Sequence, residues 1–155
     1  MYDSISRKVW VQKGSKPRRI VTGLHTKIHI FGFLSEDKKR MFMSSDKINA
    51  KQFLQAMYKI KAKFKKIILI LDSAPWHKKS KKVQAYFKKN RREIKIIWLP
   101  KGCPEMNPVE ECWRQAKIEV NGGRVHESFD KMKEELKNFL KYNEFKQDMV
   151  KYLRP

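Results

Sequence analysis

Thiols are scarce: Cys103 and Cys112 are the only two cysteines in 155 residues. They lack metal-ligand spacing and company, which argues against a disulfide framework or a cysteine-held metal and leaves two free thiols in a reducing compartment. No apolar run approaches the ~20 residues that cross a bilayer. No secretory leader stands at Met1, so the expected location is cytoplasmic, without a membrane partner. Acids are few as well: 16 Asp and Glu face 37 Lys and Arg, a formal charge of +21 with a pI near 10.1. That balance fits a polyanionic partner, although a lysine-rich proteome from an AT-rich genome or a hot habitat raises charge in the same way. The basic residues are spread along the chain, which suggests a broad backbone-binding surface and not a base-reading module. Internal repeats and low-complexity linkers are also missing. What remains is 41% hydrophobic, a globular composition in a chain long enough for one domain with a core.

Read in order, residues 7–11 form a short strand by their β-branched and aromatic content, residues 13–17 a turn, and residues 19–24 a second extended piece. Residues 27–34 and 39–44 read as an antiparallel hairpin across the turn Ser35-Glu36-Asp37-Lys38. Asp46 or Asn49 caps a helix over about 49–65, in which Ala50, Phe53, Leu54, Met57, Ile60 and Phe64 share one face and lysines the other. The run 67–71 is apolar throughout, as in a strand buried on both faces. A helix over about 79–90 turns Val83, Tyr86 and Phe87 inward, and 94–99 is a second buried strand. A third helix runs from Asn107 to about 119 or 120, stopped by Asn121-Gly122-Gly123. A fourth, about 126–141, presents Phe129, Met132, Leu136, Phe139 and Leu140, and a last, about 143–153, presents Phe145, Met149 and Leu153.

The chain is organised around residues 66–113. Asp72 directly follows five apolar residues, and aspartate is poor in strands. It either ends the strand and opens the turn Ser73-Ala74-Pro75, or serves as a ligand at the carboxyl end of a buried strand. In Asn107-Pro108-Val109-Glu110 a cap is followed by proline at the first helical position and Glu at the third; a capping box alone accounts for Glu110. Glu111 lies about 100° further round the helix and ranks second. An acid at a strand end and an acid in the first turn of a later helix can converge at one sheet edge. Such carboxylates are hard oxygen ligands of the kind Mg²⁺ prefers, and on so basic a chain the natural substrate of a metal so held is a phosphodiester. His77 reads equally as a residue near that edge or as a surface polar group. Trp76, Trp98 and Trp113 read as packing residues, with Trp76 also placed to touch DNA. Lys78, Lys79, Lys81, Lys82, Lys101 and Arg114 lie near the same edge, each taken singly being a solvated charge.

This stretch resembles the catalytic core of DDE transposases, in the branch shared by mariner-type elements and related bacterial insertion sequences. Leu71-Asp72-Ser73-Ala74-Pro75-Trp76-His77 stands where that family has Asp-Asn-Ala-x-x-His. Trp98-Leu99-Pro100, then Pro104-Glu105-Met106-Asn107-Pro108-Val109-Glu110-Glu111 and Trp113, match Leu-Pro-x-x-Ser-Pro-x-Leu-Asn-Pro-Ile-Glu-x-x-Trp. Trp10 before a Gly-Pro turn is similar to the family's Arg-x-x-Trp-x-x-x-Gly. The resemblance implies an α/β, RNase H-like fold, a mixed sheet flanked by helices. It implies that Asp72 and Glu110 are catalytic and metal-binding, with Mg²⁺ or Mn²⁺, two ions in the complete site. It further implies Trp76, His77, Lys78, Lys79, Lys101 and Arg114 as contacts to double-stranded DNA, both element ends and target. The implied activity is metal-dependent nicking and strand transfer.

The sequence also departs from the family. The pattern has a third carboxylate on the first, central strand, about a dozen residues before the Arg-x-x-Trp segment. Asp3 is the only acid ahead of Trp10 and is too close to it. The expectation is therefore a single catalytic domain over 1–155, truncated at its amino end, lacking most of the central strand, the first Asp and a helix-turn-helix region. Such a chain is expected to be inactive alone, to dimerise or pair with an upstream transposase fragment, or else to persist as a non-catalytic DNA-binding remnant. A complete nuclease using Asp3 is the remaining alternative. The 37 residues between positions 72 and 110 exceed the family's usual spacing, an excess assigned to the second helix or the basic turn 88–92.

Overall fold

The computed structural model describes residues 10–16, 27–37, 39–122 and 126–145. Among these, His29–Pro108 form one compact unit, and those belonging to Met1–Ile28 and Val109–Gln147 form another.

The first unit opens with the hairpin β1 (His29–Leu34) and β2 (Arg40–Ser45), antiparallel with Phe31 opposite Met43 and Phe33 opposite Met41. Its turn is closed by Ser35, whose N–H donates to the Lys39 carbonyl at 2.9 Å and whose Oγ donates to the Asp37 carboxylate. Helix α1 (Ala50–Lys63) starts where Asn49 accepts a bond from the Gln52 N–H at 3.0 Å, so Asn49 and not Asp46 is the cap. The parallel pair β3 (Ile67–Leu71) and β4 (Ile94–Trp98) follows, with Leu71 opposite Trp98. Between the two strands the chain makes a short helix α2 (Pro75–Lys78) and a longer one, α3 (Lys81–Lys89), where the sequence suggested a single helix. The break has local causes: Pro75 opens α2 at its first position, and Ser80 restarts the chain by capping the Val83 N–H.

One hydrophobic core holds this unit together. Phe53, Met57 and Ile60 of α1 meet Val83, Tyr86 and Phe87 of α3 over Leu71 and Ile94, with Phe31, Phe33 and Met41 of the hairpin packed against them. These are the inward faces expected from helical spacing. The strands pair as two two-stranded sheets, β1–β2 and β3–β4, and no further strand joins them among the described residues. The alternation on β3 and β4 also shows that burial is one-sided: Ile68 and Ile97 are exposed, while Leu71 and Ile94 are buried.

The second unit contains α4 (Pro108–Asn121), which begins at the junction of the two, and α5 (Phe129–Tyr142), capped by Ser128 on the Lys131 N–H at 3.2 Å. Val120 and Met132 form its small core with Phe129, Leu136 and Phe139. Residues 10–16 carry a turn, with Gly14 at φ +88° and the Ser15 N–H bonded to the Gln12 carbonyl at 3.0 Å, but Trp10 and Val11 are exposed and not in a strand. The rest of the expected first strand, the piece 19–24, Asp3, and the expected last helix beyond Phe145 lie outside the described residues. Cys103 and Cys112 are both free of disulfides, and among the described residues no helix is long and apolar enough to cross a membrane.

Candidate active site

The parallel pair delivers Asp72. β3 ends at Leu71, whose carbonyl accepts the Leu99 N–H at 2.7 Å, so the two strands leave the sheet side by side. Ser73 Oγ donates to the Leu99 carbonyl at 3.1 Å and ties the loop after β3 to the exit of β4. Asp72 is thereby fixed at the carboxyl edge with its side chain 56% exposed. After β4 the chain turns away through Pro100, Lys101 and Gly102; Gly102 takes φ +74°, a left-handed conformation that favours glycine.

The Asp72 carboxylate is held asymmetrically. Oδ1 accepts from His77 Nδ1 at 2.9 Å and from the Ala74 N–H at 3.2 Å, whereas no bond falls on Oδ2 among the described residues. The His77 bond, seconded by the Ala74 N–H, holds the carboxyl below its usual range, so it is ionised at neutral pH. An ionised carboxylate only accepts, so Nδ1 carries the proton. His77 itself is buried, at 8% exposure, with its ring centroid 4.2 Å from that of Phe53. The short helix α2 makes this possible: five residues after Asp72 it returns the imidazole beneath the carboxylate. Gln84 of α3 pins the helix by donating Nε2 to the His77 carbonyl at 3.0 Å.

The other edge residues stay at the surface. Trp76 is 37% exposed, edge-on to His77. Lys78 is exposed with its Nζ 5.6 Å from the Trp98 ring centroid, and Lys79 and Lys101 are exposed nearby in sequence and in the β4 turn. His77, which the resemblance implies as a DNA contact, is buried against Phe53 with its Nδ1 on Asp72; its sequence signals were its spacing from Asp72 and the family's Asp-Asn-Ala-x-x-His pattern.

Glu110 and Arg114 stand on α4, in the second unit. Glu110 is exposed, the third residue of the helix, and accepts no hydrogen bond or ion pair among the described residues. The capping-box explanation fails locally. The N–H of Asn107, which a capping glutamate would accept, donates instead to the Pro104 carbonyl at 2.9 Å, in the 3₁₀ turn Pro104–Met106 that precedes the helix. Glu111 is the engaged acid. Arg114 reaches both of its oxygens at 2.6 and 2.5 Å, and Gln115 adds a third bond at 2.9 Å. The bonds from Arg114, then Gln115, bring its carboxyl down to about 2.

Asp72 fits a hard divalent cation as a single ligand: an ionised oxygen donor, one oxygen anchored and the other open to solvent. No group of three His, Cys, Asp or Glu side chains forms a complete set of ligands among the described residues.

An α/β unit with a strand-end carboxylate is the framework of the RNase H-like fold, and solved structures share it. The Mos1 mariner paired end complex with Mn superposes with a TM-score of 0.64 at 12% identity, covering 98% of this chain and 47% of that one. The Mos1 strand transfer complex gives 0.65 at 12% identity, covering 98% and 46%. The chain thus spans about half the length of the structures it matches. The DDE superfamily endonuclease model matches residues 2–133, and the chain belongs to that family. No curated protein matches it.

Proposed function

We propose that this chain is the carboxyl-terminal catalytic portion of an insertion-sequence transposase, acting in metal-dependent nicking and strand transfer of double-stranded DNA. Asp72 and Glu110 are two of its three carboxylate ligands for Mg²⁺ or Mn²⁺. The carrying observation is the contrast between engaged and open acids: among the described residues, Asp72 keeps one oxygen free at the strand end, and Glu110 has no partner where the capping role would have occupied it. The family match supports the same pair. A divalent ion held by these carboxylates would supply Lewis-acid polarisation of the scissile phosphate and neutralise charge developing on it. The protein's own part is to fix Asp72 through His77 and Ala74, and to present Trp76, Lys78, Lys79 and Lys101 to the phosphate backbone along the same edge. Arg114, bonded to Glu111, serves the backbone from α4. The third carboxylate is either Asp3 or an acid supplied by an upstream fragment.

The test is a Mn²⁺ titration followed by electron paramagnetic resonance, on the wild type and on Asp72→Ala and Glu110→Ala, alone and with an upstream transposase fragment. Weaker Mn²⁺ binding in both variants, with plasmid nicking appearing or rising when the fragment is added, is expected. Salt-dependent DNA binding with Mn²⁺ affinity indifferent to either change would leave a non-catalytic DNA-binding remnant as the function. Nicking by the chain alone that Asp3→Ala abolishes would give the third ligand to Asp3.

A further inference from the structure

The strands that carry Asp72 at one end carry a different surface at the other. β3 is preceded by Lys63-Phe64-Lys65-Lys66 and β4 by Lys89-Asn90-Arg91-Arg92, and the parallel register sets the two turns beside each other. The Ile67 N–H donates to the Glu93 carbonyl at 2.8 Å, joining them directly. The platform is rigid. The N–H groups of Glu93 and Ile94 both donate to the Asn90 carbonyl at 2.9 Å, Asn90 Nδ2 donates to the Tyr86 carbonyl at 2.7 Å, and Lys61 bonds Asn90 Oδ1. Lys63, Lys65, Lys66, Lys89, Arg91 and Arg92 are all exposed on it.

Two ordinary explanations fall short. Cations in the last turn of a helix complement its dipole, but that effect fades within the turn. It covers Lys63 and Lys89, whereas Lys65, Lys66, Arg91 and Arg92 lie beyond the ends of α1 and α3. Among the described residues, local ion pairing does not account for them either. Glu93 is taken by Lys61 at 2.6 Å, and Asp37 of the hairpin turn by Lys39, whose Nζ also sits 5.8 Å from the Phe64 ring centroid. Nor do these charges serve the Asp72 edge by their field. Six steps along extended chain separate Lys66 from Asp72, about 20 Å at ~3.3 Å per step, more than twice the ~8 Å screening length at physiological salt.

We propose that this pole is a second DNA-binding surface, taking the phosphate backbone of a duplex segment other than the one at Asp72. Two adjacent arginines and two adjacent lysines on fixed turns give forked and point-charge phosphate donors side by side, with no base-reading element between them. The surface does not depend on Asp72 or Glu110 being metal ligands.

The experiment measures binding of a 30-base-pair duplex of arbitrary sequence across a salt series, for the wild type and for Lys65→Gln/Lys66→Gln/Arg91→Gln/Arg92→Gln. Four lost phosphate contacts should make the slope of log K against log salt shallower by about 3.6, at ~0.9 per contact, while Mn²⁺ affinity stays at the wild-type value. Each pair of substitutions made alone should give about half the change, which keeps the test intact should the quadruple variant fold poorly. A matched control, Lys117→Gln/Lys131→Gln/Lys133→Gln/Lys137→Gln, removes equal charge from α4 and α5. An unchanged slope, or an equal change in the control, would overturn the proposal. So would a loss confined to binding of phosphatidylserine vesicles with duplex binding intact.

Discussion

His77 Nδ1 lies 2.9 Å from Asp72 Oδ1, with the imidazole buried and the carboxylate exposed. The pair joins the hydrophobic core to the solvent edge. One ring face is packed against Phe53, 4.2 Å between centroids, and the polar nitrogen reaches the acid. A side chain that can rotate freely is a poor ligand, because ordering it on binding costs rotamer entropy. Here the ordering is already done by residues that belong to the fold.

On the proposed metal role of Asp72, His77→Ala should weaken Mn²⁺ binding without altering the carboxylate itself. Removing a group that orients a ligand typically costs 10–100-fold in metal affinity, and that loss should appear in a paramagnetic resonance titration. His77→Phe separates packing from positioning. It refills the space beside Phe53, so thermal stability should recover relative to the alanine variant while Mn²⁺ affinity should not. Recovery of both would show that His77 acts through packing alone.

Glu110 and Glu111 are adjacent and chemically alike, yet their surroundings predict opposite responses. Glu110→Ala removes an exposed side chain with no partner among the described residues, so stability should stay within about 0.5 kcal/mol while, on its proposed role, Mn²⁺ affinity falls. Glu111→Ala removes the bonds that Arg114 and Gln115 make to its carboxylate and should leave Mn²⁺ affinity as it is. An exchange of these phenotypes in the same titration and melt would move the ligand to Glu111.

Much of this was readable in the residues themselves. Apolar spacing placed α1 and its inward face, because Phe53, Met57 and Ile60 repeat at helical intervals with lysines between them. β3 was bounded on both sides by charge, and its limits follow. Helix α3 falls within the expected 79–90, but α2 was missed: Ser73-Ala74-Pro75 reads as a turn, and four residues are too few to show helical periodicity. The role of His77 was hidden for another reason. Its partner and its packing surface lie on different elements, and only the closing of α1 over the loop after β3 brings Phe53 to it. One-sided burial of β3 was also unreadable, since Ile68 on the open face looks no different in sequence from Ile67 or Leu69 on the covered one. Glu110 shows the converse: the capping-box pattern was present in the sequence, and the preceding Pro104–Met106 turn, which takes the Asn107 N–H, removed its meaning.

The β1–β2 turn should respond to pH through Asp37. Its carboxylate is bonded by Lys39 and then by Ser35, which brings its pKa down to about 2. A carboxyl depressed on folding adds stability above its unfolded pKa, near 4, and loses that contribution as pH falls from about 4 toward 2. Chemical shifts of Asp37 should titrate near 2, and amide protection of Ser35 and Lys39 should fall over the same window. Both side chains are more than half exposed, so 1 M salt should erase most of the effect. A midpoint near 4 would mean that the Lys39 and Ser35 bonds do not persist in solution.

Phe53 is the residue on which the site and the fold both rest. It is 1% exposed, with ring centroids 6.4 Å from Phe31, 6.3 Å from Phe87 and 4.2 Å from His77. Phe53→Ala opens a cavity among all three, and such changes cost about 3–5 kcal/mol, a large share of the ~5–15 kcal/mol that holds a domain folded. Phe53→Leu keeps most of the volume and should cost far less, about 1.5 kcal/mol or under. Urea denaturation should rank the three proteins in that order. The leucine variant remains folded, so Mn²⁺ titration can be read on it directly. Because leucine packs less closely under the imidazole, its affinity should fall between those of the wild type and His77→Ala. Wild-type affinity in the leucine variant would show that the Asp72–His77 bond holds without the wall beneath it, and that Asp72 is oriented by the Ala74 N–H and the strand end alone.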